Sequence, residues 1–188
     1  MGGGARFPVG EQFALISITP ITDADPAAVE ILLDLAFGAD RHKRTAYRMR
    51  DGVAAIAGLS LAAFEDGELV GTLQSWPIEL AQEDGSTEPL VLIGPVAVRP
   101  DRQRDGLGKM LMAEALRLAD AGGEHALLLI GDPEYYERFF GFTAEATGEW
   151  NIPGPVERRR LLARLTAGRT LSRTGAVRAR RGTATFLR

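Results

Sequence analysis

The residues best suited to chemistry lie in one stretch. An apolar run, Leu90 to Val98, leads through a polar turn, Arg99 to Asp105, into Gly106-Leu107-Gly108-Lys109 and an amphipathic run that closes at Gly122-Gly123. This is the pattern of a strand, a loop and a helix. The first N–H groups of a helix have no partner within it and sit at the positive end of its dipole. Gln103, Arg104, Asp105, Gly106, Leu107, Gly108 and Lys109 therefore form a candidate anion site. Glycine at 106 and 108 lets a phosphate approach the backbone closely. A Walker phosphate loop would need Gly at 103 and Ser or Thr at 110, where the chain has Gln103 and Met110. A Rossmann fingerprint needs three spaced glycines, and only two are present.

The elements that must position this loop can be read on either side of it. A second apolar run, Ala126 to Ile130, follows the helix at once, so the two strands it joins are parallel, and ligands bind off the carboxyl ends of such strands. Upstream, Phe13 to Thr19 reads as a first strand. Asp25 and Pro26 read as the cap and first residue of a helix that runs to Phe37 and stops at Gly38, and Arg41 to Arg50 as a second, basic helix. Ser60 to Phe64 and Leu69 to Trp76 form a hairpin, and Glu83 to Ser86 a further turn, so three antiparallel strands precede the crossover. Within the fourth strand, Gly94-Pro95 signals a bulge or splay, because proline has no N–H to give a ladder. Backbone groups at Val96, Ala97 and Val98 are then left free. The helix from Gly106 should face the core with Leu107, Met110, Leu111, Ala115 and Leu118. Asp132 and Pro133 open a short helix over Tyr135 to Phe140, Gly141-Phe142 starts a strand, and Arg158 to Leu165 reads as a last short helix. At most one strand or hairpin is expected beyond Gly168.

The fold class is therefore α/β, a mixed, mainly antiparallel sheet whose fourth and fifth strands form a splayed parallel pair flanked by helices. Residues 1–12 are Gly-rich and expected to be disordered, residues 13–170 to form one domain, and residues 171–188 to be an Arg-rich C-terminal extension.

Composition narrows the function. The 188 residues are 45% hydrophobic, with no cysteine and two histidines, His42 and His125, so neither a thiolate site nor a His-rich metal cluster is expected. No apolar run reaches the roughly 18 residues that cross a bilayer. No secretory signal is visible, and Arg6 stands where a myristoylation signal has Ser or Thr, so a cytoplasmic protein without membrane association is the default. Of 22 basic and 25 acidic residues, ten arginines and one glutamate lie from Glu157 onward, leaving 12 basic and 24 acidic residues before it. A nucleic-acid arm is disfavoured, because no aromatic residues interleave the arginines to stack on bases. The arginines are expected to lie against their own acidic body or a neighbouring subunit, which leaves a homodimer open.

Val96-Ala97-Val98-Arg99-Pro100-Asp101-Arg102-Gln103-Arg104-Asp105-Gly106-Leu107-Gly108 resembles the acetyl-CoA-binding motif of the GNAT N-acetyltransferases, whose core is Q/R-x-x-G-x-G/A. The likeness extends through Gly131-Asp132-Pro133-Glu134-Tyr135-Tyr136-Glu137-Arg138-Phe139 and Gly141-Phe142. These resemble a G-D-x-x-Y-Y-x-R-F-G-F segment of a subgroup of predicted bacterial acetyltransferases, and the hairpin ending in Trp76-Pro77 is similar to theirs. The resemblance implies the GNAT (acyl-CoA N-acyltransferase) fold. It also implies acetyl-CoA as cosubstrate without a metal, and direct attack by a small-molecule or peptide amine. The pyrophosphate would lie on Gln103 to Lys109 and the pantetheine arm would pair with Val96 to Val98. A tyrosine on the helix after the fifth strand would protonate the leaving thiolate, with Tyr136 the first candidate and Tyr135 the second. Two departures from the family pattern stand out: Asp105, acidic where a basic or neutral residue is usual, and an extra phenylalanine in Phe139-Phe140-Gly141-Phe142. Glu79 is weighed as a general base, Trp76 as pocket wall, and Arg99 and Arg102 as phosphate attractors. The alternative function is a non-catalytic GNAT-like module that binds coenzyme A or a partner.

Overall fold

The computed structural model describes residues 15–103, 105–166 and 168–182; the expected disorder of residues 1–12, the start of the first strand, and Arg104 lie outside them. The chain runs β1 (Ile16–Pro20), α1 (Pro26–Phe37), α2 (Thr45–Met49), β2 (Leu61–Glu65), β3 (Glu68–Ala81), β4 (Thr87–Val98), α3 (Leu107–Ala121), β5 (Ala126–Ile130), α4 (Pro133–Phe140), β6 (Glu149–Asn151), β7 (Leu161–Leu165) and β8 (Thr174–Ala179). One eight-stranded sheet has the order β1-β2-β3-β4-β5-β7, and β8 joins it by pairing with β3 and β6. Neighbours along the main path are antiparallel except β4 and β5, as the alternation of hairpin and crossover requires.

β3 is 14 residues long, nearly three times β2. Past Leu73 its edge has lost β2, and Ile78 to Ala81 pair instead with Ala179 to Ala176 of β8. A long bare edge is thereby covered by the chain's own C-terminal segment. The sheet is buried on both faces. Val91, Ile93, Leu127 and Leu129 pack under α3, while Leu90, Leu92 and Leu128 pack on the other side with Ile78, Leu80, Met49 and Trp150. This is why β4 and β5 read as unbroken apolar runs rather than as alternating ones.

Both helix caps expected from Asp-Pro pairs are present: Asp25 Oδ1 accepts from the N–H of Ala27 at 3.0 Å, and Asp132 Oδ1 from that of Glu134 at 3.2 Å. Other expectations are corrected. Arg41 to Arg50 is not one helix but a 3-10 turn over Ala39–Lys43 followed by the five-residue α2. Arg158 to Leu165 is not a helix but a 3-10 turn over Arg158–Arg160 and then β7, whose β-strand pairing with β5 overrides local helix preference. Gly141-Phe142 does not begin a strand; Thr143 makes a single bridge to Ala163. On α3, Met110 is 43% exposed, whereas Met112, Leu116 and Ala119 are buried with Leu107, Leu111 and Ala115. The helix lies on the sheet about one residue further round than the apolar count suggests.

Much of the Arg-rich segment rests on the body. Arg164 forms a bidentate pair with Asp120 (2.9 Å each), Arg178 bonds Glu79 (2.8 Å), Arg173 bonds Glu149 (3.2 Å), and Arg159 pairs with Glu134. Among the described residues no helix is long and apolar enough to cross a membrane, and no cluster of His, Cys, Asp and Glu could hold a metal ion.

Leu111 is fully buried between α3 and the sheet, in contact range of Gly71. Leu111→Ala is expected to destabilise the fold by roughly 2–5 kcal/mol, read as a lowered denaturant midpoint with unchanged slope.

Candidate active site

β4 and β5 stay together only briefly. Val91 pairs with Leu127 and Leu92 with Leu128, and no further pair follows although both strands continue. On the other side of β4, Gly94 and Pro95 together oppose the single residue Gln74, between the pairs Ser75–Ile93 and Leu73–Val96. A two-against-one bulge bends the bulged strand. Gly94 stands at φ +123°, a region that glycine alone adopts readily. The predicted splay therefore exists, and its position matches Gly94-Pro95.

The bulge is held by side chains. The Gly94 carbonyl accepts from Trp76 Nε1 at 3.0 Å and from Arg50 Nη1 at 3.1 Å. Arg50 is 5% exposed, and its guanidinium lies 3.9 Å from the Tyr47 ring centroid and 4.0 Å from that of Trp76. Burial pushes its pKa down to about 10, so it keeps its charge at neutral pH, offset by two aromatic faces and a carbonyl. Trp76 is not itself among the cavity-lining residues; it braces Gly94, which is. Glu79 is not in the site; it bonds Arg178.

Beyond the bulge the backbone is open on one side. The Arg99 N–H donates to the Val70 carbonyl at 2.9 Å, so by the alternation of an antiparallel ladder Ala97 also turns its polar groups to β3. Val96 and Val98 turn theirs to the side that β5 has left. Of the three candidate strand residues, two present free backbone groups and Ala97 does not.

β4 then delivers the chain to α3. Gly106 caps this helix in the left-handed region at φ +77°, and the first helical hydrogen bond runs from Met110 N–H to the Gly106 carbonyl at 3.1 Å. The N–H groups from Gly106 to Lys109 lie ahead of it. A Cβ at Gly108 would meet only Val98 Cγ2, at 3.8 Å, so protein packing does not demand glycine there. Asp105 does not turn onto these N–H groups: its Oδ2 lies 3.5 Å from Arg102 Nη1, and Arg102 also pairs with Glu65. Arg99 is held by Asp101 at 2.7 and 2.8 Å. Both arginines are therefore matched by carboxylates. The Lys109 ammonium sits 3.3 Å from the Phe139 ring centroid, tying the start of α3 to α4. Gln103 is exposed at the loop, and Arg104 lies outside the described residues.

The opening leads into a cavity of about 830 Å³ lined by Leu92 to Val96 of β4, Leu129 and Ile130 of β5, Tyr136 of α4, the 41–47 segment, and residues 155–157 with Arg160. Tyr136 lines it and Tyr135 does not. The two rings stack edge to face, centroids 5.1 Å apart. Burial raises the Tyr136 pKa above the ordinary tyrosine value, helped by the neighbouring Tyr135 and Asp132 charges; burial alone raises that of Tyr135. Tyr136 lies flat against Gly131, where a Cβ would sit 2.5 Å from Cδ2 and closer still to Cε2. Gly131 thus makes room for the ring, a role that its place in a Gly-Asp-Pro cap did not disclose. Arg50 and Tyr47 were also missed, since a basic stretch gives no sign of which of its arginines are buried.

The family profile described as Acetyltransferase (GNAT) domain matches residues 17–144, more than half of the chain. An uncharacterised N-acetyltransferase of Streptomyces avermitilis is 35% identical over 98 residues, 51% of this chain but only 23% of that protein. The uncharacterised N-acetyltransferase YhbS of Escherichia coli is 28% identical over 122 residues, 65% of this chain and 70% of YhbS. The crystal structure of E. coli YhbS in complex with CoA superposes with a TM-score of 0.67 at 24% identity, covering 93% of this chain and 94% of YhbS. A GNAT family acetyltransferase of Brucella melitensis in complex with acetyl-CoA superposes with a TM-score of 0.64 at 23% identity, covering 89% and 97%. With a bulged fourth strand, a glycine-rich helix start and a family match across both, this chain belongs to the GNAT acetyltransferase family.

Proposed function

We propose that the protein moves the acetyl group of acetyl-CoA to an amine by direct attack, with Tyr136 supplying the proton that the leaving sulfur needs. The observation that carries the reading is the cavity at the opening between β4 and β5, whose wall includes both Val96 and Tyr136. Acetyl-CoA supplies the acyl group as a thioester: a C–N bond forms, the C–S bond breaks, the sulfur takes the Tyr136 proton, and the proton shed by the amine nitrogen returns through water to the phenolate.

The residues present fit this cosubstrate. The N–H groups of Gly106 to Lys109, with the approach left open at Gly108, suit the pyrophosphate, and Gln103 begins the turn that presents them. Val96 and Val98 offer strand-like partners to the amides of the pantetheine arm, and an N–H here can polarise the thioester carbonyl as an oxyanion hole does. The coenzyme complexes of the E. coli and B. melitensis proteins, which share the fold, support the same cosubstrate. Tyr136 suits the acid role because burial keeps its proton in place through neutral pH, and a phenol with pKa near ~10 or above can still protonate a thiolate whose conjugate acid is near ~8.5. Tyr135, off the cavity, is assigned to packing against Phe139 and Phe140.

Release of coenzyme A thiol in the presence of an amine panel tests the transferase. Tyr136→Phe is expected to lower kcat roughly 10²–10⁴-fold with coenzyme A affinity retained in calorimetry, while Tyr135→Phe stays within about threefold of the parent. Coenzyme A binding with no turnover on any amine would favour the non-catalytic module. Because Tyr136 stays protonated, kcat should rise with pH through the range where the amine loses its proton and fall only above the ordinary tyrosine range. Gly131→Ala is expected to displace the Tyr136 ring and lower kcat by roughly tenfold or more, since about 1 Å of misplacement can cost 10²-fold, with coenzyme A affinity unchanged.

A further inference from the structure

The charge on the cavity wall bears on the acceptor. Four cationic side chains line it, Arg41, Lys43, Arg44 and Arg160, against one carboxylate, Glu157. Arg41 is neutralised: it is 2% exposed, bonds Asp34 at 2.8 Å, and also meets Glu30 and the Tyr47 hydroxyl. The other three are not. Arg44 Nη2 donates to the Phe37 carbonyl at 3.0 Å and its guanidinium lies 5.3 Å from the Phe37 ring centroid, both neutral partners. Arg160 Nε donates to the Gly131 carbonyl at 3.2 Å, again neutral. Lys43 has no ion pair among the described residues and is exposed. The cavity therefore keeps a surplus of about two positive charges in a chain whose first 156 residues carry twice as many acidic as basic side chains.

These cations do not belong to the pyrophosphate site. None of Gln103 or Asp105 to Lys109 lines the cavity. On the transferase reading, the thioester end of the cosubstrate is the end that must reach the cavity, and its phosphates belong further out, on the N–H groups at the start of α3. The cations come instead from the segment that joins α1 to α2 and from the turn before β7. An anion held there must come from the acceptor.

We propose that the acceptor is a small amine that also carries an anionic group, a carboxylate or a phosphate, which Lys43, Arg44 and Arg160 receive while the amine reaches the thioester. Phe37, Tyr47, Pro155 and Val156 give the same end of the cavity an apolar wall for the carbon skeleton between the two groups. The arrangement disfavours polycationic amines, whose second charge would meet the same cations. This proposal rests on the transferase reading above.

The test compares matched acceptors in the thiol-release assay with the full chain: free α-amino acids, their amides, the corresponding aminophosphonates, and a polyamine. Rates are referred to the unprotonated amine, because the amides lose their protons more readily. The amino acids or the aminophosphonates should exceed the amides in kcat/KM by about tenfold or more, with the advantage shrinking as salt is raised. Whichever anionic series leads identifies the anion. Lys43→Gln combined with Arg160→Gln should reduce the advantage about tenfold, and Lys43→Arg should preserve it. Equal kcat/KM for charged and neutral partners, or preference for the polyamine, overturns the proposal and leaves the transferase standing. Coenzyme A binding with release from no member overturns the transferase reading itself.

Discussion

Two strands cannot part in the middle of a buried sheet without leaving hydrogen-bonding groups behind, and every buried N–H and C=O must find a partner. β4 and β5 part after Leu92 and Leu128. Three devices deal with the consequence. Pro95 has no N–H to leave unpaired. The Gly94 carbonyl is taken by Arg50 and Trp76. Val96 and Val98 keep their polar groups turned to the opening, where a strand-like ligand can meet them. The position of α2 follows from the second device, because Arg50 must reach Gly94, and Tyr47 then stacks on its guanidinium.

The opening also governs where Tyr136 stands. α4 begins one turn after β5 ends, capped by Asp132, and this carries Tyr136 to the cavity wall. Gly131, at the junction, lets the ring lie against the backbone. Tyr135 is the preceding residue on the same helix but points elsewhere and packs on Phe139 and Phe140. Adjacent residues on a helix are about 100° apart, so one short element serves the cavity and its own packing at once. The same burial that fixes Tyr136 raises its pKa, so position and protonation state have one cause.

Charge is distributed by neighbourhood rather than by net value. Arg164, Arg173 and Arg178 sit on Asp120, Glu149 and Glu79, and Arg99 and Arg102 of the glycine-rich loop sit on Asp101, Glu65 and Asp105. At the cavity the pattern changes: Arg44 and Arg160 bond carbonyls, which orient a guanidinium without cancelling its charge. Asp105, the acidic departure in the loop, is drawn to Arg102 and so leaves the start of α3 clear.

Local chemistry made several features legible in the sequence. Asp25-Pro26 and Asp132-Pro133 announced two helix starts, Gly94-Pro95 the splay, and Gly106-x-Gly108 the start of α3, because caps, bulges and left-handed turns depend on the few residues that form them. The all-apolar runs of β4 and β5 announced strands covered on both faces. The remainder needed partners distant in the chain. Arg158 to Leu165 carries helix-like spacing, yet β5 had an edge to offer and Leu161–Leu165 became a strand. Arg50 lies in a stretch of arginines alike in sequence, of which Arg41 and Arg50 are buried and Arg44 and Arg48 exposed, and only Tyr47, Trp76 and Gly94 bring Arg50 to the bulge. Residue types and their spacing were enough for the fold class, the glycine-rich helix start and the pair of tyrosines. Which tyrosine meets the cavity and which arginines stay unmatched were settled by packing between separate elements, which no local pattern of residue types encodes.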